Sequence, residues 1–232
     1  MDRRKFVFAS SGAAIGSLAV AAIAAEQPTK SPYPDSGLVT GLPKPLRYQE
    51  LPGFLSAEQI APHQAAHYGG ALRAFNDVEQ RLAGYLSGET PIDAAALQRV
   101  KQLQSSRGNS VILHELYFAG LIPKKVGPGD AIRTAITQRF GSLDRWADDF
   151  VTSAKTAAGW AMLVVHPVNG KLYNVISDEH AQGPLWLSAP LVVIDTYEHA
   201  FYIDYQNDKA KYIETFLSFI DWSVAEQRLQ HS

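Results

Sequence analysis

"WAMLVVHPVNGKLYNVIS", residues 160–177, is where the hydrophobic period of this chain changes. Here apolar and polar positions run as two short strands about a Val-Asn-Gly turn, the pattern of an antiparallel hairpin. "PLVVID", residues 190–195, supplies a third strand after a loop. Upstream the spacing is helical throughout. "SAEQIAPHQAAHYGGALRAFNDVEQRLAGYL" (56–86) opens on Ser56 with an acid near the third helical position, a capping box, and Pro62 and Gly69-Gly70 are expected to kink or interrupt it. "PIDAAALQRVKQLQ" (91–104) and "SVILHELYFAGL" (110–121) read as two further helices, the second ended by Gly120 and Pro123. Two short amphipathic helices follow, parted at Phe140-Gly141-Ser142, and a final helix is expected from about Lys209 to Gln227. The fold class is therefore α+β: a helical, long-hairpin N-terminal domain over 55–123, then a C-terminal domain over 124–232 of helices on a three-stranded antiparallel sheet.

A chain of 232 residues with 46% hydrophobic content can bury a substantial core. Its 21 basic and 23 acidic residues form no long run of either sign, which argues against a nucleic-acid partner. Having no cysteine, it has no disulfides, thiolate metal sites, iron–sulfur clusters or cysteine nucleophile. "MDRRKFVFASSGAAIGSLAVAAIAA" (1–25) reads as a signal peptide, because its apolar run is short and only weakly hydrophobic; a retained anchor is the other reading. Arg3-Arg4 followed by Lys5-Phe6-Val7 resembles a twin-arginine export signal, with Asp2 where Ser or Thr is more usual. The twin-arginine machinery carries folded proteins, so export by this route to the periplasm or a comparable compartment hints at a cofactor taken up beforehand. Cleavage would remove Arg3, Arg4, Lys5 and Asp2, leaving 18 basic and 22 acidic residues, a charge of −4, and no stable membrane span. Residues 26–54, dense in Pro and Gly, read as an extended leader over the surface.

Seven histidines are present. His231 in the tail and His166 before a proline at a strand end read as solvated. His63 and His67, four apart, share one helical face; His114 lies within an apolar helix; Asp195 and His199 stand at a strand end and one turn later. Each alone has a plain reading as a buried imidazole with one hydrogen bond, or as a capping aspartate. Together His63, His114, Asp195 and His199 offer three imidazoles and one carboxylate, a mixed N/O set that suits Fe, Mn or Zn. Spacing alone does not bring them together.

"DTYEHAFYIDYQN" (195–207) closely resembles the Asp-x-Trp-Glu-His-Ala-Tyr-Tyr signature of the iron/manganese superoxide dismutases. "LSAEQIAPHQAAH", "GNSVILHELYF" and "FGSLDRWADDF…AAGWAMLVV" are similar, in the same order, to that family's first ligand helix, second ligand helix, and following helix and first strand. The resemblance runs from about Leu51 to the C-terminus. It implies one Fe or Mn ion per subunit held by His63, His114, Asp195 and His199, superoxide as substrate, and a homodimer. It also implies that Gln182 hydrogen-bonds the solvent at the ion, with His180 as competitor and Ser110 at the alternative helix position. Glu198 would reach the partner's His199, Tyr202 would approach the partner's His67, and Trp160 would form an aromatic wall. Three positions depart from the pattern: Ala71 replaces the gateway Tyr, with Tyr68 one turn earlier as a substitute; Tyr197 replaces the motif Trp; and Lys209 replaces an Arg that draws superoxide in. Two rivals stand beside this expectation, a non-enzymatic metal-binding or structural protein on the same fold and a zinc hydrolase.

Overall fold

A computed structural model describes residue 31, residues 33–91 and residues 93–232. The expected signal at 1–25, with Arg3 and Arg4, and the start of the leader lie outside the described residues. From residue 33 onward the chain is one compact unit. Its elements run α1 (Gly37–Thr40), α2 (Ala57–Pro62), a π-helical segment (His63–Tyr68), α3 (Gly69–Ser87), α4 (Ala94–Ala119), α5 (Asp130–Phe140) and α6 (Leu143–Thr156). Then come β1 (Trp160–His166), β2 (Lys171–Ser177), β3 (Ala189–Asp195), a 3₁₀ turn (Glu198–Ala200), α7 (Tyr202–Tyr205), α8 (Lys209–Phe216) and α9 (Trp222–Gln230).

Ser56 caps α2 by accepting from Gln59 N–H, but the reciprocal bond comes from elsewhere: Asp204 accepts from both Ser56 N–H and its hydroxyl, each at 2.7 Å. The capping box is therefore closed by α7 rather than by an acid of the same helix. Pro62 has no N–H and its ring crowds the preceding carbonyls, and directly after it the helix widens to i→i+5 bonding over His63–Tyr68. Gly69 and Gly70 stand where it tightens again.

The two helices expected at 91–104 and 110–121 are one, α4, of 26 residues. Gly108 does not break it. A Cβ there would lie 3.0 Å from the Phe75 ring of α3, so the glycine serves close helix approach. The single final helix is in fact two, α8 and α9, because the chain turns between them; Ile220 bridges to Leu121, and the Asp221 side chain caps α9.

The sheet order is β2-β1-β3, antiparallel throughout. Central β1 is buried from Trp160 to Val165, since α6 packs on β1 and β2 while α4 and α9 pack on β3. That two-sided cover explains why "WAMLVVH" reads as a nearly continuous apolar run. Pro190 is tolerated because β3 is an edge strand, and the β1–β3 register shifts beside it, at Leu163/Val164. One core cluster spans both halves, from Leu51 and Tyr68 through Trp160 to Phe216 and Ala225. Arg228 ties the halves together by donating to Leu191 O and Leu116 O, each at 2.9 Å.

Candidate metal centre

Four elements deliver one side chain each to a single point. His63 opens the π-helical segment, His114 comes from the last third of α4, Asp195 ends β3, and His199 sits in the 3₁₀ turn that follows. Their ligand atoms all lie within 4.8 Å of one another. Asp195 Oδ2 is 3.2 Å from His63 Nε2, 3.2 Å from His199 Nε2 and 3.7 Å from His114 Nε2. Two ligands each about 2.1 Å from a common ion lie about 3.0–3.6 Å apart when they subtend 90–120°, so the spacing fits a first-row metal.

The groups are oriented for that task. His114 Nδ1 lies 2.6 Å from Ser110 O, and because a carbonyl only accepts, the proton is on Nδ1 and the Nε2 lone pair is left for a ligand. That Nε2 is buried without a hydrogen-bond partner. Asp195 Oδ1 accepts from Tyr197 N–H (3.0 Å), and the Asp195 carbonyl accepts from the Tyr212 hydroxyl (2.9 Å), itself paired with the Tyr117 hydroxyl. Oδ2 is thereby directed at the three rings. Burial would raise the Asp195 carboxyl, but hydrogen bonds from His199 and His63 outweigh it and hold the group below its usual range. Burial pushes His63 down, and His114 down to about 3. Neutral imidazoles around an ionised carboxylate are the protonation state that metal binding requires.

Among the solvent-positioning candidates, the geometry corrects the choice of Gln182. That side chain is exposed, and only its backbone is engaged, the N–H by Glu179 O and the carbonyl by Ser177 Oγ. His180 faces inward instead. Its Nδ1 accepts from Trp160 Nε1–H at 3.0 Å, its carbonyl accepts from Asn109 Nδ2 at 2.9 Å, and its ring lies 6.4 Å from that of His114. With Nδ1 accepting, the neutral ring carries its proton on Nε2 and is a donor there. The preference for Gln182 failed because the loop leaves β2 in a turn that Ser177 Oγ closes on Glu179 O and Gln182 O. Trp160 itself is fully buried against His114, 5.2 Å ring to ring and edge-on.

Tyr68 does not stand in for the gateway tyrosine. Its ring is buried beside His114, and its hydroxyl points away, donating to Glu115 Oε1 (2.9 Å) and accepting from Lys44 N–H (2.7 Å). Glu115 Oε1 also accepts from Gly37 N–H at 2.7 Å, so the leader is strapped to this buried pair. A Cβ on Gly37 would lie within 3.2 Å of Leu72, Tyr68 and Glu115, which is why the strap can approach so closely. Ala71 is buried. His67 is exposed and stacks on His199 with ring centroids 3.7 Å apart, and Tyr197 also lies nearly parallel to His199, at 5.3 Å. Burial and the neighbouring His199 push His67 down to about 4. Lys209 Nζ donates to Ala157 O at 2.6 Å. Glu198 and Tyr202 are exposed, and the Glu198 side chain makes no hydrogen bond or ion pair among the described residues, its carbonyl accepting from Phe201 N–H. His231 is exposed, as expected, whereas His166 is half-buried and bonds to Trp186 O.

Gln59, absent from the sequence-based candidates, is fully buried and bonds to His199 O and Ile203 N–H. A glutamine three residues after an N-cap reads as part of a cap, and nothing in the local pattern marks it for a partner 140 residues away. Asn109 was missed for the same reason.

A model of the family "Iron/manganese superoxide dismutases, C-terminal domain" matches residues 128–228. The chain is 31% identical over 192 residues to manganese superoxide dismutase 2 of Haloferax volcanii, covering 82% of this chain and 94% of that protein. It is 34% identical over 189 residues to the iron superoxide dismutase of Aquifex pyrophilus, covering 80% and 88%. It is 30% identical over 193 residues to the iron superoxide dismutase of Pyrobaculum aerophilum, covering 81% and 90%.

Proposed function

This chain belongs to the iron/manganese superoxide dismutases, and from that membership we propose that His63, His114, Asp195 and His199 are its metal ligands in an exported, dimeric enzyme. The activity is that of an oxidoreductase, converting two superoxide ions and two protons to O2 and H2O2. One observation carries the ligand assignment: four buried or half-buried donor atoms from four elements lie within 4.8 Å of one another.

A bound iron or manganese ion supplies one-electron exchange in both directions. The chain's own groups do the rest. Ionised Asp195 cancels one unit of charge and leaves the centre attractive to an anion. His114 is held in one tautomer by Ser110 O, so its Nε2 is always available. His180, held by Trp160 and Asn109, presents a fixed N–H at Nε2 and takes the role of solvent partner. Lys209, tethered to Ala157 O, supplies the cation that favours anion entry.

The dimer reading is supported by the surface beside the ligands. Tyr202 and Ile203 are 48% and 50% exposed, the Glu198 carboxylate has no partner among the described residues, and the His199 side chain is 20% exposed. Glu198 of a second copy would meet His199 there, and Tyr202 would approach His67. Export rests on Arg3-Arg4 in the N-terminal sequence, and the periplasm is the compartment it would reach; no helix among the described residues is long and apolar enough to cross a membrane.

Metal analysis of natively produced protein, run beside a superoxide-dismutation assay, tests the assignment. Iron or manganese near one per chain with turnover is expected, and His114→Ala and Asp195→Asn should lose both. Zinc without dismutation would sink it. Replacing Arg3-Arg4 by two lysines should retain the protein in the cytoplasm; unchanged export would remove the twin-arginine reading.

A further inference from the structure

Between His199 and Ile203 the backbone is four residues apart, the spacing of an ordinary helical hydrogen bond. That bond is not made. Phe201, at φ −143°, interrupts the path from the 3₁₀ turn into α7. The Gln59 carboxamide occupies the gap: its Nε2 donates to His199 O at 2.6 Å, and its Oε1 accepts from Ile203 N–H at 2.9 Å. One amide thus replaces a backbone bond and holds apart the two groups that would otherwise pair.

The location gives this insertion its consequence. Gln59 in α2 lies one helical turn before His63, which opens the π-helical segment, so one continuous stretch carries a ligand from the N-terminal half and fixes the backbone of the ligand from the C-terminal half. Were the amide absent, His199 O and Ile203 N–H could close on each other. The turn would wind toward α7 and carry the His199 ring out of its 3.2 Å approach to Asp195. A second tie between the same segments, Ser56 to Asp204, touches neither ligand.

We propose that Gln59 is a positioning residue for the metal centre, setting the placement of His199 against His63 by interposing its amide between His199 O and Ile203 N–H. This rests on the assignment of His199 as a ligand.

The experiment compares Gln59→Met, which fills similar volume without either hydrogen bond, with Ser56→Ala, which loosens the neighbouring tie. Metal-free proteins are titrated with Mn²⁺ or Fe²⁺, and the loaded forms are examined by electron paramagnetic resonance and visible absorption. Gln59→Met is expected to weaken metal affinity about 10–100-fold, as loss of a ligand-orienting partner typically does, and to change the spectrum of the loaded protein. Ser56→Ala is expected to lower the unfolding temperature while leaving affinity and spectrum as in the parent. Gln59→Met with the parent's spectrum overturns the inference, whether or not its stability falls, and so does Ser56→Ala with the same spectral change. His199→Ala run in parallel separates the premises: if it binds metal like the parent, the ligand assignment fails first.

Discussion

Tyr68 illustrates how a residue's type and position can mislead about its role. A tyrosine five residues after a candidate ligand histidine looks like a channel group, yet its hydroxyl is spent on Glu115 and Lys44 N–H, facing the leader. Tyr68→Phe should therefore cost about 1–2 kcal/mol of stability through the unpaired groups left behind, while dismutation per bound metal stays at the parent rate. Thermal unfolding and metal-normalised assays check both halves, and a several-fold loss of rate would return Tyr68 to the site. The proposed ligand histidines make a second claim, about the metal-free protein. His114 is held down to about 3, against an ordinary 6.5, by burial. Above 6.5 folded and unfolded chains are alike neutral; below it the unfolded chain takes up a proton that the folded ring refuses. Stability of the metal-free protein should fall as pH drops from about 6.5 toward 3, His63 acting in the same direction, and Asp195 adds a further loss below its usual carboxylate range. A chelator-treated sample with a flat unfolding temperature between pH 7 and 5 would contradict this.

At the scale of elements, the informative differences lie at helix breaks. Glycine and proline mark departures from regular helix but do not say of which kind. Pro62 stands before a π-helical segment rather than a kink, Gly108 stands inside a helix where Phe75 packs, and the α8–α9 break carries no glycine or proline at all. In that break Asp221 is fixed instead by Arg47 from the leader and by capping Ser223 and Val224 N–H, contacts set by long-range geometry. His63 is the first residue of the π-helical segment, so the widening is expected to set its direction relative to α3. Deleting Ala66, which is exposed within it, should convert it to α-helix and turn everything N-terminal by about 100° relative to α3. Helix content by circular dichroism should survive and bound metal should be lost; retained metal would mean the widening has no part in placing His63.

At the scale of the whole molecule, one body from residue 33 onward brings together side chains up to 136 positions apart in the sequence, from His63 to His199. The next level is the proposed dimer. Tyr202→Glu combined with Ile203→Glu places charge on the surface proposed to pair and should shift the protein to a monomer by light scattering; a dimer that persists would place the interface elsewhere. What the sequence by itself determined is what local periodicity can carry, the α+β order and the period change at Trp160; its resemblance to the family then named His63, His114, Asp195 and His199 as candidate ligands. The element order survives because strand alternation and helix spacing are written into consecutive residues, whereas candidate ligands as far apart as His63 and His199 meet only through the fold. Only the tertiary structure decided that His180 rather than Gln182 faces the site, that Tyr68 looks away from it, and that Gln59 holds His199. Each of those depends on which backbone group a side chain meets across the fold, and partners brought together by packing leave no periodic mark in the chain.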